Sequence, residues 1–124
     1  MKLNFTVSVA LCTVTMLAGA EVSVPQDSWS NGIKTALPAA MCREGSYFRA
    51  CFDVTEEQCS RTVTAATADC VEQFAPEMPA LFNQPQDGQH WGQRVGGCAA
   101  NGYMSAHKAS KLDKPSCENA AAWK

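Results

Sequence analysis

The sequence predicts an all-α fold, a small disulfide-stapled helical domain of three to four helices. Three observations lead to this class. Six cysteines follow a segment with the features of a secretory signal, and apolar residues between positions 59 and 74 recur at steps of three and four. No segment of the sequence alternates apolar and polar residues in the way that predicts a half-buried strand.

The first twenty residues have the three parts of a secretory signal peptide. Lys2 supplies the positive charge, residues 3–17 are mostly apolar, and a run of small residues ends at Ala20. The apolar run is shorter than the roughly 20 residues of a membrane span and is interrupted by polar residues. We therefore expect signal cleavage after Ala20 and no membrane span in the mature protein.

Cleavage at this position would change the cysteine count. Cys12 leaves with the signal, so that seven cysteines become six, the even number expected of a disulfide framework in an oxidising compartment. We expect residues 21–124 to form a single cysteine-rich domain in a secreted or periplasmic protein.

The charge balance limits the partners. The chain has 10 basic and 12 acidic residues, for a net charge of −2. Nucleic acids and anionic membranes require a concentrated positive face. The one basic cluster, Lys108, Lys111 and Lys114, is more simply explained by the preference of lysine for helix C-termini. We expect a protein partner rather than a nucleic acid.

The first half of the mature chain predicts two short helices. Ser28 suits the N-cap of a helix over residues 29–37, and Pro38 suits the first position of a second helix that extends to residue 52. Gly45 weakens this second helix in its middle, where we expect a break.

The segment over residues 56–75 gives the clearest helix signal. Thr55 and Gln58 have the spacing of a capping box, and Pro76 ends the pattern. Its apolar face consists of Cys59, Val63, Ala66, Cys70 and Phe74.

A proline-rich connection precedes the last predicted helix, which we expect from about Asp87 to about Leu112. Its expected inward stripe consists of Trp91, Val95, Cys98, Gly102, Ala106 and Leu112. Beyond Pro115, a short tail carries Trp123, which either docks on the core or stays exposed.

Helix geometry excludes one disulfide among Cys42, Cys51, Cys59, Cys70, Cys98 and Cys117. Cys59 and Cys70 lie on the same face of one helix, about 16 Å apart along its axis, whereas bonded cysteines need Cα atoms within about 7 Å. Antiparallel packing of the two long helices favours the pair Cys70–Cys98. The same packing gathers three cysteines at each end of the helices. Because three cysteines cannot all be bonded in pairs, the remaining connectivity stays open.

No motif for catalysis, a metal or a cofactor is present in the sequence. His90 and His107 have no further ligands at the spacing of a zinc site, and disulfide sulfur is no nucleophile. We therefore expect neither metal nor cofactor and favour a non-enzymatic protein.

The surface candidates for binding are the loop over residues 83–91 and one face of the last helix. Loops that combine polar residues with an aromatic often carry binding sites. Trp91 also fits the core, as the first residue of the inward stripe. The candidate residues are Asn83, Gln86, Asp87, His90, Trp91, Tyr103 and His107, with Tyr103 and His107 expected on the outer side of the helix.

Three functions remain open. The leading hypothesis is an exported module that recognises or inhibits a macromolecular partner. A second is a carrier of a small apolar ligand, in a cavity lined by Phe48, Phe52, Phe74, Phe82 and Trp91. A third is a hydrolase whose catalytic groups meet only in the folded protein.

Overall fold

The computed structural model describes residues 21–123. The expected signal peptide, with its cleavage site after Ala20, lies outside the described residues. Within this range the predicted class is confirmed as a small helical domain stapled by three disulfides, to which a two-stranded sheet is added. The helices and strands in chain order are β1 (Val22–Pro25), α1 (Gln26–Met41), α2 (Tyr47–Ala50), α3 (Glu56–Phe74), β2 (Leu81–Gln84) and α4 (Gln86–Ala106).

Helix α1 shows that the boundary predicted at Pro38 is wrong. The helix begins at Gln26 rather than after Ser28, and it continues through a buried Pro38. Its start is held by the Gln26 N–H, which donates to the Ala80 carbonyl over 2.9 Å. A proline one turn from the helix end removes one hydrogen bond, and the Cys42 N–H still donates to the Pro38 carbonyl over 3.0 Å.

The break predicted at Gly45 is confirmed. Gly45 has φ +77°, a conformation that other residues rarely adopt. The chain turns there, the Ser46 hydroxyl donates to the Met41 carbonyl, and the short helix α2 follows.

Helix α3 has the capping box that its sequence predicts. The Thr55 hydroxyl accepts from the Gln58 N–H over 3.1 Å, and the Gln58 amide oxygen accepts from the Thr55 N–H over 2.9 Å. Helix α3 packs against both α1 and α4 and is therefore the central element of the fold. Its buried residues are Cys59, Val63, Thr67, Cys70 and Val71.

The two strands were not predicted from the sequence. β1 and β2 pair antiparallel, with Val24 opposite Phe82. Four residues in each strand are too few to give a clear alternation, because a single inward pair contacts the core. The strands pair across 60 residues, from Ser23 to Asn83.

Helix α4 differs from the prediction in its end and in its buried face. It ends at Ala106, and the chain then turns so that the Leu112 N–H donates to the Cys51 carbonyl over 2.9 Å. The buried stripe is Trp91, Val95, Ala99 and Tyr103. These residues recur every four positions and therefore lie on one face of the helix. Gly102 and Ala106, which were expected in the buried stripe, are exposed.

The disulfides join Cys42 to Cys59, Cys51 to Cys117 and Cys70 to Cys98, with Cα–Cα distances of 5.8, 5.5 and 6.0 Å. The third is the pair that antiparallel packing favoured, and Cys59 and Cys70 bond to different helices. Because α1 extends to Met41, Cys42 lies at the C-terminal end of its helix, beside the start of α3. The tail folds back and brings Cys117 to Cys51.

The core consists of two clusters at opposite ends of the helices. One contains Tyr47, Phe52 and Tyr103, with Phe48 and Trp123 packed against it. The other contains Phe82, Trp91 and Val95, with Trp29 and Phe74 packed against it. Over residues 21–123, no helix combines the length and the apolar character that crossing a membrane requires.

Candidate functional site

The outer side of the sheet and the first turn of α4 form an exposed surface. We call it the sheet surface and define it by Ser23, Leu81, Asn83, Gln86 and His90, all of which are exposed. Gln86 and His90 are one turn apart on α4 and therefore share a helix face. Three of the residues predicted for binding thus lie on this surface: Asn83, Gln86 and His90.

The backbone of the sheet surface is fixed by local hydrogen bonds. The Asp87 carboxylate accepts from the Asn83 N–H over 2.7 Å. The Ser23 hydroxyl donates to the Asn83 amide oxygen over 3.3 Å and links the two strands. Asp87, a predicted binding residue, therefore holds the junction between β2 and α4.

Trp91 lies inside the fold. Its ring packs near Phe74, with centroids 6.2 Å apart, and the Arg94 guanidinium carbon lies 4.7 Å from the Trp91 ring centroid. Of the two interpretations of Trp91, the structure supports the core position. On the same helical turn, His90 is exposed to solvent.

Tyr103 is also buried, so that its expected place on the outer side of the helix is wrong. It lies on the same stripe as Val95 and Ala99, and its hydroxyl donates to the Phe48 carbonyl over 2.7 Å. Tyr103 therefore ties α4 to α2 and is unavailable to a partner.

His107 lies at the other end of α4 and is half-buried. Its Nε2 atom is 2.8 Å from the Thr62 hydroxyl, and its ring centroid is 4.7 Å from that of Tyr103. At 1.5 Å per residue, His107 is about 30 Å along the helix from Gln86. The seven predicted residues therefore do not form one site.

The environment of Tyr103 predicts a dependence of stability on pH. Burial raises the pKa of Tyr103 from 10.0 to about 12, and the Arg49 charge opposes this by a smaller amount. Between these pH values the unfolded chain loses the phenolic proton while the folded protein keeps it. The free energy of unfolding should therefore fall as pH rises, by up to about 1.4 kcal/mol per pH unit.

Urea denaturation of the wild type and Tyr103→Phe at several pH values in this window measures the effect. The variant lacks this titrating group and should lose stability less steeply. Equal slopes for the two proteins would contradict the role given to Tyr103.

Two further grooves run beside α3. The groove between α1 and α3 has a volume of about 580 Å³ and is lined largely by charged and hydroxyl side chains: Lys34, Thr35, Arg43, Glu56, Ser60 and Thr64. The groove between α3 and α4, of about 470 Å³, has Ala66, Gly102 and the Cys70–Cys98 disulfide among its lining. A Cβ atom at Gly102 would lie 3.2 Å from that of Ala66, so glycine allows close helix approach there.

The five aromatics proposed to line an apolar cavity are divided between the two core clusters. Phe48 and Phe52 belong to the cluster around Tyr103, whereas Phe74, Phe82 and Trp91 belong to the other. They therefore do not surround one shared cavity. No group of three or more His, Cys, Asp or Glu residues within 21–123 has the geometry to hold a metal ion.

Comparison with known proteins identifies a family. The model of a family described as "T2SS substrate NttA" matches residues 23–111. This range begins in β1, includes all of α1 to α4, and ends before the tail that carries Cys117 and Trp123. No curated protein and no solved structure matches the chain.

Proposed function

The chain belongs to the family of type II secretion system substrates described as NttA, and from this membership we propose that it acts after export as a non-enzymatic binding protein that recognises a protein partner. Export itself follows from the family, and the three disulfides fit an oxidising environment outside the cytoplasm. The sheet surface is the part of the molecule that we assign to binding.

The exposure of an apolar side chain, Leu81, on the outer face of the sheet is the observation that carries this proposal. Among residues 21–123, the large hydrophobic side chains that are exposed are Val22, at 60%, and Leu81, at 56%. Leu81 shares the outer face of the sheet with the exposed Ser23 and Asn83, whereas Val22, two residues from Val24, lies on the opposite face. Apolar residues surrounded by adaptable polar residues are typical of surfaces that contact other proteins.

Within residues 21–123, β1 is an edge strand of the two-stranded sheet and adds backbone groups to this surface. The bond from the Gln26 N–H to the Ala80 carbonyl continues the strand pairing, in which Val24 is opposite Phe82. Because hydrogen-bonded pairs alternate along an antiparallel ladder, the N–H and C=O of Ser23 point away from β2. An extended segment of a partner would find a donor and an acceptor there.

The arrangement of the histidines favours binding over hydrolysis. His90 is exposed on the first turns of α4, and His107 bonds Thr62 at the far end of this helix. The two imidazoles are therefore too far apart to act on one substrate. His107 serves to connect α3 and α4.

Affinity capture with the mature protein tests the proposal. Wild type and Leu81→Asp are immobilised, proteins bound from a target-cell extract are identified by mass spectrometry, and a captured protein is then purified for calorimetry. We expect one protein to bind the wild type and to bind Leu81→Asp at least about tenfold more weakly, as for a contact in the centre of an interface.

Lys34→Asp is the matched control, since it also introduces an aspartate but lies in the groove between α1 and α3. It should retain wild-type affinity. The assignment to the sheet surface fails if both variants bind equally well, or if Lys34→Asp is the one that loses the partner.

A further inference from the structure

A small pocket lies under the C-terminal tail, at the opposite end of the molecule from the sheet surface. We call it the Trp123 pocket. Its volume is about 240 Å³, and it is lined by Ala40, Met41, Arg43, Ser46, Tyr47, Phe48, Ala120 and Trp123. The end of α1, the turn at Gly45, the helix α2 and the tail all contribute to its walls.

The tail is held in place as a wall by three contacts. The Cys51–Cys117 disulfide fixes its start, and the Trp123 indole N–H donates to the Ser116 carbonyl over 2.8 Å. The Trp123 and Tyr47 rings meet at an angle of 64°, with centroids 5.9 Å apart. Trp123 is half-buried, so one part of its ring packs on the core while another part faces the pocket.

The hydroxyl of Tyr47 distinguishes this pocket from a simple packing gap. Tyr47 is only 6% exposed, and its ring packs against Phe48 and Phe52. Within residues 21–123 its hydroxyl makes no hydrogen bond, whereas the hydroxyl of Tyr103 in the same cluster donates to a backbone carbonyl. Among the described residues, Arg49 Nε is the fully buried side-chain atom that lacks a partner, so the Tyr47 oxygen is accessible from outside the core. Tyr47 lines the pocket, and its hydroxyl can therefore donate to a bound molecule.

The size and chemistry of the walls define the class of ligand. A dry cavity of about 150 Å³ holds benzene, so a pocket of 240 Å³ admits one substituted ring. Trp123, Phe48 and Met41 offer the aromatic and thioether surfaces on which a ring packs. The Tyr47 hydroxyl favours an oxygen acceptor on that ring.

We propose that the Trp123 pocket binds a small aromatic molecule that carries a carbonyl or carboxylate oxygen, with the ring packed between Trp123 and Phe48 and the oxygen accepting from the Tyr47 hydroxyl. This site is independent of the proposed protein-binding surface. It lies against the cluster of Tyr47, Phe52 and Tyr103, while the sheet covers the cluster of Phe82 and Trp91.

NMR titration of the ¹⁵N-labelled mature protein tests the site, with benzoate and toluene as probes. Benzoate should cause saturable shifts of backbone amides within 40–48 and 120–123. Tyr47→Phe keeps the ring and removes the hydroxyl, so it should weaken benzoate binding about tenfold and leave toluene binding unchanged. Trp123→Ala should weaken binding of both probes, and Leu81→Ala, on the sheet surface, should weaken neither.

Three results would overturn the proposal. These are benzoate shifts that do not saturate, shifts that centre on another part of the molecule, and equal affinity of Tyr47→Phe and wild type for benzoate. Near-UV circular dichroism of each variant shows whether the aromatic cluster around Tyr103 is intact. A Tyr47→Phe protein with a native spectrum and unchanged benzoate affinity counts against the site, whatever the sheet surface binds.

Discussion

Replacing both Cys51 and Cys117 with alanine is expected to lower the free energy of unfolding by about 4.4 kcal/mol. This disulfide joins residues 66 positions apart, the largest separation of the three. A crosslink that closes a longer loop removes more conformational entropy from the unfolded chain. The loss is a large part of the 5–15 kcal/mol that stabilises a typical domain. Urea denaturation under non-reducing conditions measures it.

The other two double-alanine variants serve as matched controls, since each removes two sulfur atoms. Cys70–Cys98 and Cys42–Cys59 have separations of 28 and 17 residues. The same relation gives losses of about 3.6 and about 3.1 kcal/mol. The order of the three losses is the test. If removing Cys42–Cys59 costs most, loop entropy does not dominate the effect of these bridges.

Helix α3 could be predicted because its local signals agree with its tertiary role. Thr55 and Gln58 satisfy the first backbone donors, Pro76 prevents continuation, and residues at steps of three and four provide a continuous apolar face. None of these signals depends on another segment of the chain. The pair Cys70–Cys98 was accessible for a related reason, because antiparallel packing of two consecutive long helices places the end of one beside the start of the next.

The elements that were missed depend on distant partners. Pro38 remains helical because the end of α1 is tied to α3 through Cys42, and β1 exists because β2 is positioned beside it by the turn into α4. The buried face of α4 was misassigned for a related reason. The sequence allows a stripe through Gly102 as well as one through Tyr103, and only contact with Phe48 and Phe52 selects the second.

The candidate sites also divide into residues that local sequence signals predict and residues that only long-range contacts bring together. Polar residues in a proline-rich loop predicted exposure for Asn83, Gln86 and His90, and the structure places all three at the surface. The Trp123 pocket combines residues 40–48 with residues 120–123, which the Cys51–Cys117 disulfide brings together. From the sequence, Trp123 could either dock on the core or stay exposed. The Cys51–Cys117 disulfide holds the tail beside the core, and Trp123 packs there.

Phe82→Ala is expected to lower the free energy of unfolding by about 3–5 kcal/mol. Phe82 is 0% exposed, and its ring stacks on Trp29 with centroids 4.5 Å apart and an angle of 17° between the planes. Alanine would remove this stacking and leave a cavity between α1, β2 and α4. Chemical denaturation followed by circular dichroism gives the loss, and the fluorescence of Trp29 should change in the folded variant.

Leu81→Ala is the control that separates the two faces of β2. Leu81 is adjacent to Phe82 but points outward, because successive strand residues lie on opposite faces. Its replacement should change the free energy of unfolding by no more than about 0.5 kcal/mol, as is usual for exposed positions. A loss at Leu81 as large as that at Phe82 would mean that β2 pairs in another register. Leu81 would then belong to the core, and the sheet surface could not be the binding site.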